Sequence, residues 1–369
     1  MTISIRAAVA RTANADLTIE ALTLEPPRED EILVRVVASG VCHTDLVVMS
    51  GNLPTPMPVV LGHEGAGIVE AVGAKVTKVK PGDSVVMTFN TCGSCPSCAD
   101  DAMAYCYEFF PRNFFATRPD GTVALKAGGD GVHSNFFGQS SWATHALAHE
   151  RNVVKVDATG DALALMGPLA CGIQTGAGTV MNALKVQRGK SFVCFGTGSV
   201  GLSAIMAAKV EGASTIIAVD MHDNRLALAS ELGATHGINA ASGDVVARIK
   251  EITGGGATYA LDTTGLPAVI RQAADALAPR GKVAILGAPM PGSEICLDNT
   301  DFMSTGKTLM GVVEGESDGD TFIPKLVGLW KDGVFPFDKL VRFYAFEDIN
   351  QAIHDSHAGT TIKPILKIG

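Results

Sequence analysis

The apolar and polar positions of this chain follow two rhythms. Early on, the apolar stretches are short and are cut by Gly, Pro and charge. Glu31 to Ala38 and Ile68-Val69 read as strands, with a Pro-rich loop (Pro54, Pro56, Pro58) between them. From Ser191 the rhythm becomes strand then helix. Ser191 to Phe195 predicts a strand and Leu202 to Val210 a helix, followed by a strand over Thr215 to Val219 and a helix over Asn224 to Leu232. A short apolar segment near Ile238 precedes an amphipathic stretch, Gly243 to Thr253. Tyr259 to Asp262 and Lys282 to Leu286 then flank a helical stretch, Ala268 to Leu277. Repeated β–α units of this kind predict a parallel sheet with helices on both faces. After about residue 313 the pattern loosens. Phe322 to Lys331 and Phe346 to His354 read as helices, and Ile362 to Ile368 as a closing strand. No internal repeat, low-complexity tract or linker-like run interrupts the chain.

Composition fits this picture. The 369 residues are too many for one ordinary core and suit two domains; 47% are apolar and 18% charged, enough to build a large interior. The net charge of −9 provides no broad field for nucleic acid or an anionic membrane, so no partner of either kind is expected. The apolar runs are too broken to span a bilayer. Met1 to Ala15, which contains Arg6 and Arg11, does not read as a secretory signal. A soluble, cytoplasmic protein is expected.

Four of the eight cysteines form Cys92-x2-Cys95-x2-Cys98-x7-Cys106. Without an export signal, a chain of this size has no need of disulfide staples. Gly93, Pro96 and Ser97 favour the tight turns that let sulfurs converge on one ion. Four thiolates at about 2.3 Å close a tetrahedral zinc site that leaves no position for water and does no chemistry. A run of free or redox-active thiols is the bland alternative. Cys42, His63 and Cys171 would make a Cys2His set with one open position, the pattern of a catalytic zinc. They are far apart in sequence, and taken singly each suits a buried thiol or a core histidine equally well.

Phe195-Gly196-Thr-Gly198-Ser-Val-Gly201 carries Gly-x-Gly-x-x-Gly out of the first strand and into the first helix. Such a turn lets a pyrophosphate approach the helix N-terminus, where free N–H groups and the dipole favour anions. The second strand ends in Asp220, 19 residues after Gly201. A carboxylate there accepts hydrogen bonds from the adenosine ribose and repels a 2′-phosphate, which favours NAD over NADP.

Together these residues resemble a zinc-dependent alcohol dehydrogenase of the medium-chain dehydrogenase/reductase superfamily over nearly the whole chain. Gly62-His-Glu-Gly-Ala-Gly67 matches the family's GHE motif, and the four-cysteine lobe, Cys171-Gly-Ile-Gln-Thr-Gly176 and the Gly-rich turn follow in the family's order. Cys42-His-Thr-Asp45, Phe136-Phe-Gly-Gln-Ser140 and Cys171 to Gly178 are most similar to the bacterial aryl-alcohol (benzyl-alcohol) dehydrogenases; enzymes of geraniol-type alcohols are near relatives. The resemblance implies an α/β fold in which a doubly wound Rossmann domain (173–313) that binds NAD is inserted into a mainly β, GroES-like catalytic domain (1–172 and 314–369). It also implies one catalytic and one structural zinc per chain, a small hydrophobic alcohol or aldehyde as substrate, and a homodimer or homotetramer.

The resemblance assigns roles residue by residue. Cys42, His63 and Cys171 hold the catalytic zinc, and Thr44 relays the alcohol proton. Of Asp45 and Glu64, one orients the ligand histidine and the other can approach the metal. His43 and Lys363 contact the pyrophosphate, Thr175 the nicotinamide and Arg225 the adenosine ribose. Many relatives end the proton relay with a histidine where this chain has Val47. His43 is then the candidate terminal base, with exit of the proton through water as the alternative.

Seven of the 15 phenylalanines (89, 109, 110, 114, 115, 136 and 137) lie between residues 89 and 137. Aromatic walls suit a benzyl-type or other unsaturated alcohol, and Phe89, Phe136 and Phe137 are the expected pocket residues. The expected reaction is reversible oxidation of an aromatic primary alcohol to the aldehyde with hydride transfer to NAD. The alternatives are an allylic (terpene) or general primary-alcohol dehydrogenase and, from another class, a zinc- and NAD-binding protein without turnover.

Overall fold

Strand Glu31–Gly40 organises the first part of the molecule. Its sequence, EILVRVVASG, is almost wholly apolar because most of it is buried on both faces. A computed structural model describes residues 2–289 and 292–369. In it this strand pairs with Gly65–Val72, Lys363–Lys367 and His145–His149 within a seven-stranded sheet, completed by Val153–Lys155, Ser84–Met87 and Val341–Ala345. A second, five-stranded antiparallel sheet has the order Val59–Val60, Ile3–Ala10, Thr18–Leu24, Leu125–Ala127, Asp130–Val132. These two sheets lie in one compact unit, Met1–Cys171 with Asp318–Gly328 and Asp338–Gly369.

Register in this unit brings sequence-distant chemistry together. Ser39 pairs with Gly65, and Gly40 N–H donates to Glu64 O at 2.9 Å. Cys42, just past the end of one strand, therefore comes beside His63, just before the start of the other. Ile365 pairs with Gly40, which brings the end of the chain to the same place. Gly167 packs so tightly on Glu64 that a Cβ there would meet Glu64 O at 2.3 Å. Thr88 Oγ1 donates to Ala170 O at 2.7 Å, fixing the backbone immediately before Cys171.

The second unit, Gly172–Ser317 with Leu329–Phe337, contains the parallel sheet. The expected boundaries put 172, 314–317 and 329–337 with the catalytic domain, whereas these residues group with the parallel sheet. The strands lie in the order His236–Asn239, Thr215–Asp220, Ser191–Phe195, Ala257–Asp262, Leu277–Ile285, Thr308–Gly311. All are parallel, so the first strand in sequence lies third and the order reverses beside it, as in a Rossmann sheet. The unit has its own apolar core, including Val193, Ile217, Ala260 and Val283.

The predicted helices occur with shifted ends. Asp244 caps Val245–Thr253 by accepting from Ala247 N–H, which excludes Gly243 from the helix. Pro267–Asp275 stops short of Leu277, which opens the next strand instead. The last helix, Ile349–His357, starts later than Phe346 because Phe346–Asp348 form a tighter 3-10 turn. Among the described residues no single helix is long and apolar enough to cross a membrane.

Candidate active site and metal centres

One ligand atom from each of Cys42, His63, Glu64 and Cys171 lies within 4.8 Å of the others. The Cys42 and Cys171 sulfurs are 4.0 Å apart, close to the edge of about 3.8 Å that Zn–S bonds of about 2.3 Å give a tetrahedron. His63 is 1% exposed, and its Nε2 is buried without a hydrogen-bond partner. A nitrogen so placed needs an acceptor for its lone pair, and a metal ion satisfies it. On the other side of the ring, Nδ1 donates to Asp45 Oδ1 at 2.9 Å, which fixes the tautomer and aims Nε2 at the two sulfurs. Asp45 itself is held by Gly62 N–H on Oδ1 (3.2 Å) and Cys42 N–H on Oδ2 (3.0 Å).

The buried charges of the cluster also act on one another. Cys42 is held well below the ordinary thiol range, first by the hydrogen bond from Cys171 and then, against burial, by the charges of His63 and Lys363. Burial works against a charged His63, yet Asp45 and Cys42 outweigh it and raise the imidazole well above its usual value. Glu64 is pushed up to about 7, chiefly by burial. Its carboxylate receives Lys363 Nζ at 2.8 and 2.9 Å. The same ammonium donates to Val41 O at 3.3 Å, so its three N–H bonds are spent inside the protein, and Lys363 is 1% exposed. This corrects the expectation that Lys363 reaches a phosphate: the pairing of Ile365 with Gly40 carries its side chain to Glu64.

Cys92, Cys95, Cys98 and Cys106 gather the same way, with Cys92–Cys98 at 3.9 Å and Cys95–Cys98 at 3.5 Å. Backbone N–H groups of Ser94 and Cys95 point at Cys92 Sγ, at 3.4 and 3.3 Å, and hold that thiol down at about 6. Burial pushes Cys106 up to about 12. Four sulfurs with converging amide donors fit a structural zinc and leave no open position.

Phenylalanine rings surround His63. Phe137 stacks on the imidazole (centroids 4.5 Å apart, 27° between planes), and Phe136 meets it edge-on at 5.6 Å. Phe114 packs on both, and Phe109 links Phe137 to Phe89. Phe136 and Phe137 are 0% and 4% exposed, so their rings are largely used up in this packing. Gln139, which sequence reasoning did not single out, is a buried clamp. Its Oε1 accepts from Gly65 N–H (3.0 Å), and its Nε2 donates to His63 O (3.0 Å) and Met87 O (2.8 Å). Its place in the Phe136–Ser140 segment was the available signal.

The alcohol dehydrogenase GroES-like domain family matches residues 28–158, and the zinc-binding dehydrogenase family matches residues 199–328. The chain is 47% identical over 368 residues to a geraniol dehydrogenase of Castellaniella defragrans, covering 99% of this chain and 98% of that one. It belongs to the zinc-dependent medium-chain alcohol dehydrogenases. The dehydrogenase is also similar to two crystal structures, each covered in full in both directions. One is a benzyl alcohol dehydrogenase from Acinetobacter calcoaceticus (52% identity, TM-score 0.96). The other is an alcohol dehydrogenase zinc-binding domain protein from Burkholderia ambifaria (54%, 0.98).

The remaining expected residues of the dehydrogenase fall as follows. Thr44 Oγ1 lies 3.9 Å from Cys42 Sγ, and His43 is exposed at the start of helix His43–Met49. In the second unit, helix Ser199–Val210 begins at Gly198, where an added Cβ would meet open space. Gly196 has φ +89, and a Cβ on Gly201 would meet Gly196 O at 2.0 Å, so this turn demands glycine at both positions. A turn of this shape with a free helix N-terminus fits a pyrophosphate. Asp220 lies at the carboxyl end of its strand, accepting from Thr197 N–H and Oγ1 at 2.8 and 2.7 Å; Arg225 is 4.0 Å away. Thr175 Oγ1 donates to the buried Glu314 at 3.3 Å, as does Gln174 Nε2. Glu314, a residue not anticipated, has φ +47.

Proposed function

We propose that this dehydrogenase reversibly oxidises a hydrophobic, benzyl-type primary alcohol to its aldehyde, with NAD as hydride acceptor. The observation that carries the reading is the set of phenylalanine rings packed around the ligand histidine. Though mostly buried against one another, they back the ligand set with apolar aromatic side chains and offer no polar partners for a polyol.

Cys42, His63 and Cys171 would hold a zinc ion, which would supply Lewis acidity toward an alcohol hydroxyl. Thr44, with its hydroxyl near Cys42 Sγ, takes the alcohol proton and passes it onward. Val47, three residues on, cannot titrate, so the proton leaves by way of His43 or water. Asp45 keeps the His63 tautomer that offers Nε2 to the metal. Lys363 holds Glu64 with two hydrogen bonds, so the carboxylate stays beside the ligand set without an unpaired charge. The turn Gly196–Gly201 binds the pyrophosphate, and Asp220 selects NAD by accepting from the adenosine ribose and repelling a 2′-phosphate.

A terpene alcohol is the second reading, favoured by the identity to geraniol dehydrogenase. Steady-state rates on benzyl alcohol, geraniol and ethanol, with NAD and NADP, before and after a strong chelator, separate the possibilities. The highest kcat/KM is expected for benzyl alcohol with NAD, and the activity should vanish with chelation. A clear preference for geraniol moves the assignment to the terpene enzymes. Absence of turnover on every alcohol, with both zincs and NAD bound, would leave a binding protein.

A further inference from the structure

The segment Asn135–Ser140 has an unusual backbone. Asn135, Phe137, Gly138 and Ser140 all adopt positive φ, at 68°, 50°, 65° and 55°. For a residue as bulky as phenylalanine, the left-handed conformation is a true outlier, and it persists only where its surroundings impose it. Here they do. Asn152 Nδ2 donates to Gly138 O at 3.1 Å and reaches Phe137 O at 3.4 Å, while Ser140 Oγ donates to Val60 O at 2.6 Å and accepts from Phe136 N–H at 3.0 Å. This strained turn sets the Phe137 ring among Phe109, Phe114 and Phe136 and stacks it on the imidazole of His63.

We infer that Phe137 is a positioning residue for the metal ligand His63, fixing the plane of the imidazole so that Nε2 stays aimed at Cys42 and Cys171. The inference rests on the reading of His63 as a zinc ligand. The hydrogen bond from Nδ1 to Asp45 sets the direction of the ring, but it holds one edge only and leaves the plane a small tilt through coupled changes at Cα–Cβ and Cβ–Cγ. The stacked Phe137 face and the Phe136 edge remove that freedom. The contact is also polarised in the useful direction. Binding a cation at Nε2 draws electron density from the imidazole, which strengthens its attraction to the electron-rich face of Phe137. By linkage, the stack then favours the metal-loaded site over the empty one. Phe137 thus acts on the reaction through His63, whereas a wall residue would act only on the substrate.

The test compares the zinc-loaded wild-type enzyme with Phe137→Leu, Phe137→Ala and Phe137→Tyr, and with Phe115→Ala as a control. Phe115 is exposed and has no ring contact with His63. Zinc release to a chromogenic chelator is followed with total metal content, and cobalt(II) is substituted at the catalytic site for its visible spectrum. In Phe137→Leu and Phe137→Ala, one of the two zincs should leave about tenfold faster, in the range for losing a group that orients a ligand, while the other leaves at the wild-type rate. The cobalt bands should shift, and kcat should fall for ethanol as well as for benzyl alcohol. Phe137→Tyr, which keeps the ring, should restore wild-type release and bands. Unchanged zinc release and cobalt bands in Phe137→Leu, with a higher KM for the aromatic alcohol alone, would reduce Phe137 to a pocket wall and overturn the inference. Faster loss of both zincs together with a lower melting temperature in Phe137→Tyr as well would overturn it too. If wild-type protein held only the four-cysteine zinc, the proposed function itself would fall.

Discussion

Lys363 combines a full positive charge with 1% exposure, and Glu64, its partner, is 0% exposed. Neither charge would survive in the interior alone, since desolvation of a single ion is far costlier than the pair's loss of water after mutual attraction. Glu64 already shows the cost, with its carboxyl raised to about 7 even with Lys363 in contact. Lys363→Met should therefore destabilise the protein by about 3–5 kcal/mol, because it strands the carboxylate. Adding Glu64→Gln to that variant should recover much of the loss, and urea denaturation of both variants measures it. NAD affinity, read by NADH fluorescence, should hold in Lys363→Met, whereas a phosphate contact would make it drop. Lys363 also marks where sequence reading stops. Its position near the chain end was legible, but the direction of its side chain depends on which residue of Glu31–Gly40 lies opposite, and no local pattern states that register. Phe137 is similar: its identity was visible, but its positive φ was not.

At the scale of elements, the strand–turn–helix–strand unit around Gly196–Gly201 was readable because every part of it is local. Apolar periodicity sets the strand and helix, while the positive φ of Gly196 and the lack of room for a Cβ at Gly196 and Gly201 set two of the three glycines. Gly201→Ala should break this unit, since its methyl would press on Gly196 O, and NADH binding by fluorescence titration should be lost before the overall fold is. Helix ends were less legible because caps such as Asp244 and tight turns such as Phe346–Asp348 move them by a few residues. The turn from Lys80 to Asp83 offers a pH test. Asp83 receives Lys155 Nζ at 2.8 Å, Lys80 N–H at 3.0 Å and Lys80 Nζ at 3.3 Å. Led by the Lys155 bond, these hold its carboxyl at about 2, below the ordinary 3.8. A depressed carboxyl stabilises the fold above its unfolded pKa, so this contribution is present above pH 3.8 and is lost as pH falls toward 2. Asp83→Asn should remove about 0.5–1 kcal/mol at neutral pH, the worth of an exposed pair, and flatten the acid limb of a stability–pH curve.

At the scale of the molecule, metal and cofactor chemistry are divided between two separately cored units. Every proposed zinc ligand, from Cys42 to Cys171, belongs to the first unit, while the glycine turn and Asp220 belong to the second. The second unit's core is built from Val193, Ile217, Ala260 and their neighbours and includes no metal ligand. The first unit depends on its metals unequally. The four-cysteine lobe has little apolar interior of its own: among the described residues Cys92, Cys98 and Cys106 cluster with Cys95 and Phe109, so a zinc held by these thiolates would tie the lobe together. Helix Phe109–Phe114 follows directly, and its rings support Phe136 and Phe137. Removing both zincs should therefore abolish alcohol oxidation and loosen the lobe, the helix and the aromatic stack, while the dissociation constant for NADH stays unchanged. Limited proteolysis should find new cleavage between residues 92 and 115, and NADH fluorescence should titrate the chelated protein as it does the zinc-loaded one. Collapse of NADH binding in step with zinc loss would mean that the second unit cannot hold its fold without the metals of the first, and the division drawn from the two cores would fail.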